Sequence, residues 1–111
     1  MAETQCLKIR IKPGLTLPVI GWLKNLNNQL DEVRELLRDE GILIESIFLE
    51  RSRDGDYLIL YQKAKDLSKA SEAFHQSSSP LALATQKFIS ETWGDIQPLE
   101  LVIDLEGMTE V

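Results

Sequence analysis

The fold is decided by residues 42–63, ILIESIFLERSRDGDYLILYQK. Two runs rich in Ile, Leu, Phe and Tyr, residues 42–51 and 57–63, enclose a short polar stretch. Residues of these types favour β-strands, and the Asp54-Gly55 pair between the runs is a strong signal for a tight turn. The sequence therefore predicts an antiparallel hairpin in the middle of the chain.

Alternation along this hairpin divides its side chains between two faces. We expect Leu49 to pair with Leu60 and Phe48 with Tyr61, and successive residues of a strand point to opposite sides. One side, which we expect helices to cover, then carries Leu43, Glu45, Ile47, Leu49 and Leu60. The other side carries four large apolar residues: Ile44, Phe48, Ile59 and Tyr61.

Two further strands and three helical stretches are predicted outside the hairpin. Period-two alternation indicates strands over 6–12 and 98–105. Apolar residues at three- and four-residue steps indicate helices. The helical stretches run from Thr16 to Asp39, from Asp66 to about 76, and from about 80 to 93. Ser77-Ser78-Ser79-Pro80 predicts a break or kink between the last two.

The predicted order is β-α-β-β-α-β, the split βαβ arrangement. Because crossover connections are right-handed, this order gives a four-stranded antiparallel sheet with the first and third strands central and both helical regions on one face. The predicted fold class is therefore α+β, ferredoxin-like. At 111 residues we expect a single domain over 1–111, with an ordered core over about 5–106.

The second face of such a sheet has no helices over it. It would expose the four large apolar residues of the hairpin, Ile44, Phe48, Ile59 and Tyr61, beside charged side chains of the first and last strands. A mixed apolar and charged surface suits a two-fold interface, so we expect a homodimer that buries these residues. The alternative is a monomer whose apolar side chains are partly exposed.

Composition and motifs argue against several classes of function. The formal net charge is -6 and the 12 Lys and Arg residues are dispersed, so no surface for nucleic acid or an anionic membrane is predicted. The first residues lack a secretory signal, which leads us to expect a cytoplasmic protein. The sequence contains no P-loop, dinucleotide fingerprint, Cys-x-x-Cys pair or calcium loop, so neither a cofactor nor a metal is predicted.

The hairpin also carries a family resemblance. Residues 41–50, GILIESIFLE, followed by 54–66, DGDYLILYQKAKD, resemble the central hairpin of an uncharacterised bacterial family of small domains, and the likeness covers most of the chain. The resemblance implies a ferredoxin-like fold of the dimeric α+β barrel type, in which two sheets pack face to face. It implies no established activity, because that fold includes monooxygenases, haem-degrading enzymes, mutarotase-like isomerases and ligand binders.

Two residues are candidates for proton transfer. Glu45 is predicted on the helix side of the hairpin, where a buried carboxylate needs a partner or a proton. His75 is the single histidine, and if the helix break turns it inward, Glu45 and His75 form an acid–base pair between helix and sheet. The alternatives are that Glu45 reaches solvent or an arginine at the strand end, and that His75 lies on the helix surface.

Three aromatic residues are candidates for ligand binding. Trp22, Tyr61 and Trp93 could line a cavity between helix and sheet and stack against a flat organic ligand. The alternative is that these rings belong to the core or to an interface.

These features lead to three hypotheses of function. The first is a homodimeric small-molecule binding domain with a pocket between the helices and the sheet. The second is a cofactor-free isomerase or monooxygenase of the dimeric α+β barrel type, in which Glu45 or His75 moves a proton. The third is an interaction module that recruits a protein partner through the exposed sheet or an acidic helix.

Overall fold

The chain forms four strands and four α-helices in a computed structural model that describes residues 2–107. The strands are β1 (Glu3–Ile11), β2 (Ile42–Ser52), β3 (Gly55–Ala64) and β4 (Trp93–Pro98). The helices are α1 (Thr16–Asn25), α2 (Leu30–Glu40), α3 (Leu67–Gln76) and α4 (Pro80–Thr92). A 3₁₀ turn, Leu26–Gln29, joins α1 to α2.

The four strands form one antiparallel sheet in the order β2-β3-β1-β4. β1 and β3 are therefore central, as predicted. Ile9 in β1 pairs with Leu58 on one side and with Ile96 on the other, which ties the two halves of the chain together. The predicted ferredoxin-like α+β fold is confirmed.

The hairpin register differs from the prediction by two residues. Leu49 pairs with Leu58 and Phe48 with Ile59, because the turn leaves only residues 53 and 54 unpaired between Ser52 and Gly55. A shift of two residues keeps every side chain on its predicted face, since the side-chain period of a strand is two. Leu43 is an exception, because it lies at an irregularity between Ile42 and Ile44 and is 52% exposed.

The single long helix predicted over 16–39 is wrong, because the 3₁₀ turn divides it. The turn lies in a run of amide side chains, where Asn28 Nδ2 donates a hydrogen bond of 3.0 Å to Asn25 Oδ1. Asparagine side chains hydrogen-bond locally and compete with regular helix. α2 then ends at Gly41, whose φ of 75° is the left-handed conformation expected of a helix-terminating glycine.

The predicted break between the second and third helical stretches is confirmed. Asp66 caps α3 by accepting a hydrogen bond from the Lys69 amide, and Ser79 caps α4 in the same way through the Ala82 amide. Pro80 occupies the first turn of α4, where its missing N–H costs nothing. Residues 77–79 therefore redirect the chain from one helix into the next.

The strand predicted over 98–105 is wrong. The chain enters the sheet directly after α4, and β4 pairs with β1 from Trp93 opposite Ile11 to Pro98 opposite Leu7. Regular pairing ends at Pro98, which has no N–H to donate. Residues 99–106, here the C-terminal segment, form no strand, although the Leu99 amide donates a 2.9 Å hydrogen bond to the Cys6 carbonyl oxygen of β1. Asp104 of this segment accepts a 2.7 Å hydrogen bond from Thr4 Oγ1.

The core lies between the helices and one face of the sheet, here the helix face. Its largest fully buried side chains are Ile9, Val19 and Leu58. These side chains belong to a large cluster around Ile11, Leu60 and Phe88, while Ile42, Ala64 and Ala70 form a second, smaller cluster. The space between the two clusters holds the cavity described next.

Candidate functional site

A cavity of about 380 Å³ lies between the helix face of the sheet and all four helices. An apolar cavity of roughly 150 Å³ holds benzene, so this space is large enough for a larger organic molecule. Most of its lining is apolar and includes Trp22, Leu36, Ile47, Leu60, Phe74 and Phe88. The stacked rings of Trp22 and Phe88, with centroids 4.1 Å apart, form part of its wall.

Three polar side chains cross the sheet side by side on the cavity lining: Gln5, Gln62 and Glu45, here the polar row. Cross-strand pairing places Gln5 beside Gln62, and Gln62 beside Glu45. Gln5 Nε2 donates to Gln62 Oε1, and Gln62 Nε2 donates to Glu45 Oε1, each over 2.6 Å. The polar row is thus a hydrogen-bonded chain in which each donor points toward the Glu45 carboxyl group.

A second carboxyl group lines the same cavity at the end of α2. The Oε2 atom of Glu40 is buried and has no hydrogen-bond partner among the described residues. Burial, followed by the negative charges of Glu45 and Asp39, raises the pKa of Glu40 to about 7. Glu40 can therefore gain or lose a proton near neutral pH.

Glu45 faces the helices as predicted, although it keeps an exposed surface because β2 is an edge strand. Burial of its carboxyl group against the cavity raises its pKa, and the hydrogen bond from Gln62 acts in the opposite direction. The negative charge of Glu45 is in turn one cause of the raised pKa of Glu40.

His75 lines the same cavity from α3 but remains exposed at the surface. Its Nδ1 atom is hydrogen-bonded to the Ser71 carbonyl oxygen at 2.8 Å, and its ring meets Phe74 edge-on. Among the hydrogen bonds of residues 2–107 none joins His75 to Glu45. The structure thus brings the two predicted acid–base residues to one cavity without pairing them, and their catalytic role stays a prediction.

The three predicted ligand-binding aromatics are divided between the two faces of the sheet. Trp22 and Trp93 line the cavity, and the buried Trp93 Nε1 has no hydrogen-bond acceptor in the described part of the chain. Tyr61 pairs with Cys6 and Ser46 and alternates with Leu60 and Gln62, so its ring points to the opposite face. The prediction that Tyr61 lines this cavity with the tryptophans is therefore wrong.

Three polar residues of the cavity were not predicted as site residues: Glu40, Gln5 and Gln62. Each has a positional signal: Glu40 continues the apolar stripe of α2 from Val33 and Leu36, and the two glutamines follow alternating inward positions of β1 and β3. A polar residue at an inward position of an otherwise apolar pattern is the signal that was available.

The opposite face of the sheet, here the open face, combines apolar and charged side chains. Phe48 is 61% and Ile44 49% exposed, while Ile59 and Tyr61 are half-buried. The charged side chains are paired, with Lys8 Nζ 3.0 Å from Glu50 and the buried Lys63 Nζ 3.4 Å from Asp104. The C-terminal segment therefore crosses the end of the open face at which Lys63 lies.

Two further properties bear on function. In the described part of the chain no helix is both long and apolar enough to cross a membrane. Over residues 2–107 no group of three or more His, Cys, Asp or Glu side chains is arranged to hold a metal ion.

The chain has the ferredoxin-like α+β fold, with the cavity between its sheet and its helices. Residues 2–110 match a family of unknown function (DUF6176), and the chain belongs to that family. No match to a curated protein was found.

Solved structures with the same fold have low sequence identity to this chain. L-rhamnose mutarotase FA22100 from Formosa agariphila is 20% identical, with a TM-score of 0.59 over 94% of this chain and 99% of that one. Rv0793 from Mycobacterium tuberculosis is 15% identical, with a TM-score of 0.56 over 96% and 100%. A putative antibiotic biosynthesis monooxygenase from Bacteriodes thetaiotaomicron VPI-5482 is 15% identical, with a TM-score of 0.56 over 99% and 96%.

Proposed function

We propose that the chain is a homodimeric small-molecule binding domain whose ligand occupies the cavity between the helices and the sheet. The observation that carries the proposal is the cavity itself, which has apolar walls and a few converging polar groups. This combination is typical of small-molecule sites, where apolar contact supplies affinity and polar groups fix orientation.

The unpartnered atoms of the cavity support this proposal. Buried polar groups in proteins are nearly always hydrogen-bonded, and each one left without a partner costs about 1–3 kcal/mol. Glu40 Oε2 and Trp93 Nε1 are two such atoms on one lining, one an acceptor and the other a donor. A ligand that satisfies both atoms recovers part of that cost on binding.

Calorimetric titration with 1-naphthylmethanol tests this binding site. This uncharged probe has an aromatic body suited to the apolar walls and one hydroxyl group for the polar groups. Ser71→Phe narrows the cavity from an exposed position on α3, so it should weaken binding by about tenfold or more without unfolding the protein. Ser68→Phe, exposed on the same helix but away from the lining, is the matched control. Equal weakening by both variants, or no binding to the unmodified chain, would refute the proposal.

The dimeric part of the proposal is supported by the open face. Ile44, Phe48, Ile59 and Tyr61 form an apolar patch on one side of the sheet, as predicted from alternation. The C-terminal segment adds exposed apolar side chains near that side, with Val102 87% and Leu105 80% exposed. Contiguous apolar patches on a soluble protein mark interaction surfaces, and a self-complementary one favours a two-fold dimer.

A second candidate function, a cofactor-free isomerase, is favoured by Glu40. A carboxyl group with a pKa of about 7 beside a second carboxyl group suits general acid–base catalysis at neutral pH. L-Rhamnose is the test substrate, because one protein of this fold is named as its mutarotase. Polarimetry should show faster mutarotation with the unmodified chain and with the exposed control Glu72→Gln than with Glu40→Gln. A rate equal to that in buffer alone would exclude L-rhamnose mutarotation.

A further inference from the structure

We propose that the ligand of this cavity is an organic ammonium compound, with an apolar or aromatic body and a protonated amine. This inference rests on the proposed binding function and adds the chemical class of the ligand. It is carried by the carboxyl groups, the aromatic rings and the absence of lysine and arginine from the described lining, whose one basic side chain is the exposed His75.

The charges on the lining are unbalanced. The side chains of Glu40 and Glu45 both line the cavity, whereas the described lining includes neither lysine nor arginine. Buried or half-buried carboxylates are normally paired with a cation, as Lys63 and Asp104 are on the open face. On the helix face the chain supplies two carboxyl groups, and we infer that the ligand supplies the positive charge.

The polar row favours a donor as the group that meets Glu45. Gln62 already donates to Glu45 Oε1, and no hydrogen bond among residues 2–107 reaches the remaining oxygen, Oε2. Glu40 Oε2 likewise has no donor within this range. An ammonium group has three N–H donors and no acceptor, which suits two carboxyl groups that both need donors.

The aromatic walls favour a cation over a neutral donor. Trp22, Phe74, Phe88 and Trp93 all line the cavity, and the faces of such rings attract ammonium groups. The two carboxyl groups and the rings together form the usual surroundings of a bound organic cation. The formal charge of -6 on the chain also attracts cations and repels carboxylate or phosphate ligands.

The Trp93 indole adds one more requirement. Its Nε1–H is buried and has no acceptor in the described part of the chain, so a ligand that carries a hydroxyl or carbonyl oxygen in reach of this atom gains a hydrogen bond. The best ligand is therefore an amine that also carries one uncharged oxygen.

Three probes of one shape test the charge preference: 1-naphthylmethylamine, 1-naphthylmethanol and 1-naphthoate. Calorimetry at neutral pH should show that the amine binds about tenfold or more tighter than the alcohol, and that the carboxylate binds weakest. Glu40→Gln and Glu45→Gln should each remove most of the preference for the amine. Glu72→Gln removes the same charge at an exposed position of α3 outside the cavity lining, so it should leave the preference for the amine unchanged.

The outcomes separate this inference from the proposed binding function. If the alcohol or the carboxylate binds as tightly as the amine, the ligand class is wrong while the cavity remains a binding site. The same conclusion follows if Glu72→Gln weakens amine binding as much as Glu40→Gln, because the amine is then attracted by the overall negative charge of the chain and not by the carboxyl groups of the cavity. If no probe binds, the ligand class fails, and the proposed function fails its own test with the alcohol. Thermal melts of the variants verify that each one is folded.

Discussion

The two faces of the sheet are built from the same strands but differ in how their charges are satisfied. On the open face two lysines form ion pairs with carboxylates of the same chain: Lys8 with Glu50, and Lys63 with Asp104. On the helix face Glu40 and Glu45 line a cavity whose described lining includes neither lysine nor arginine. This difference between the faces is the basis for our proposals that a second copy of the chain covers the open face and that a ligand completes the helix face.

The largest effect expected from this comparison concerns stability. Leu58 is fully buried on the helix face, and the next residue, Ile59, is half-buried on the open face. Leu58→Ala should lower the free energy of unfolding by about 2–5 kcal/mol, because it leaves a cavity in the core. Ile59→Ala, measured at low protein concentration, should lower the free energy of unfolding by clearly less. Urea denaturation measures both values, and equal losses would contradict the division of the two faces.

The next effect concerns assembly. Phe48→Asp places a charge in the apolar patch of the open face, so it should reduce the mass in light scattering from about twice 12.6 kDa to 12.6 kDa. Leu17→Asp introduces the same charge at an exposed leucine of α1 and is the matched control. A monomeric unmodified chain, or loss of the dimer in both variants, would show that the open face is not the dimer interface.

A smaller effect is expected from pH. The pKa of Glu40 rises from 4.5 to about 7 on folding, so the folded chain binds more protons than the unfolded chain between these values. Stability should therefore fall as pH rises through this window, and Glu40→Gln should remove that loss. Because the carboxyl group is only half-buried, solvent screening limits the difference to about 1 kcal/mol.

Urea denaturation of the unmodified chain and of Glu40→Gln from pH 4.5 to 8 gives this difference directly. The other titratable groups near Glu40 are Glu45, Asp39 and His75, which are present in both proteins. Their contributions cancel to first order in the difference between the two curves. Parallel curves would show that Glu40 ionises as it does in the unfolded chain.

The smallest effect is expected at the C-terminal segment. Asp104 accepts a hydrogen bond from Thr4 and pairs with Lys63, and the hydrogen bond from Thr4 is the main cause of its lowered pKa. Asp104→Asn should speed hydrogen exchange in residues 99–106 with little change in Tm, because Glu106 Oε2, 3.5 Å from Lys63 Nζ, remains as an anionic partner for that lysine. A loss of Tm as large as that of Leu58→Ala would mean that the segment is part of the core.

The sequence was sufficient to predict which face the hairpin side chains occupy, with Leu43 as the exception. Alternation decides the face of Glu45 and Phe48, and that decision is unaffected by a register error of two residues. Alternation did not locate the last strand, because Leu99, Leu101, Ile103 and Leu105 alternate as a strand would but lie beyond Pro98, where regular pairing ends. The local sequence pattern thus predicts the face on which a side chain lies better than it predicts which residues pair in the sheet.

The cavity was only partly predictable for a related reason. Glu45 and the two tryptophans were identified by residue type, but the polar row exists only because β1, β3 and β2 bring Gln5, Gln62 and Glu45 side by side. Glu40 becomes a site residue through the turn at Gly41, which returns the chain along the sheet. These contacts join residues far apart in sequence and depend on the tertiary fold.

The central claim is that the helix face binds the ligand, and an NMR titration with 1-naphthylmethanol tests it most directly. The reporters are the side-chain amide of Gln62 and the indole N–H of Trp93 on the cavity, and the ring of Tyr61 on the open face. We expect the Gln62 and Trp93 signals to shift with saturation while the Tyr61 signals stay in place. Saturable shifts of Tyr61 with unchanged Gln62 and Trp93 signals would contradict the claim and assign ligand binding to the open face.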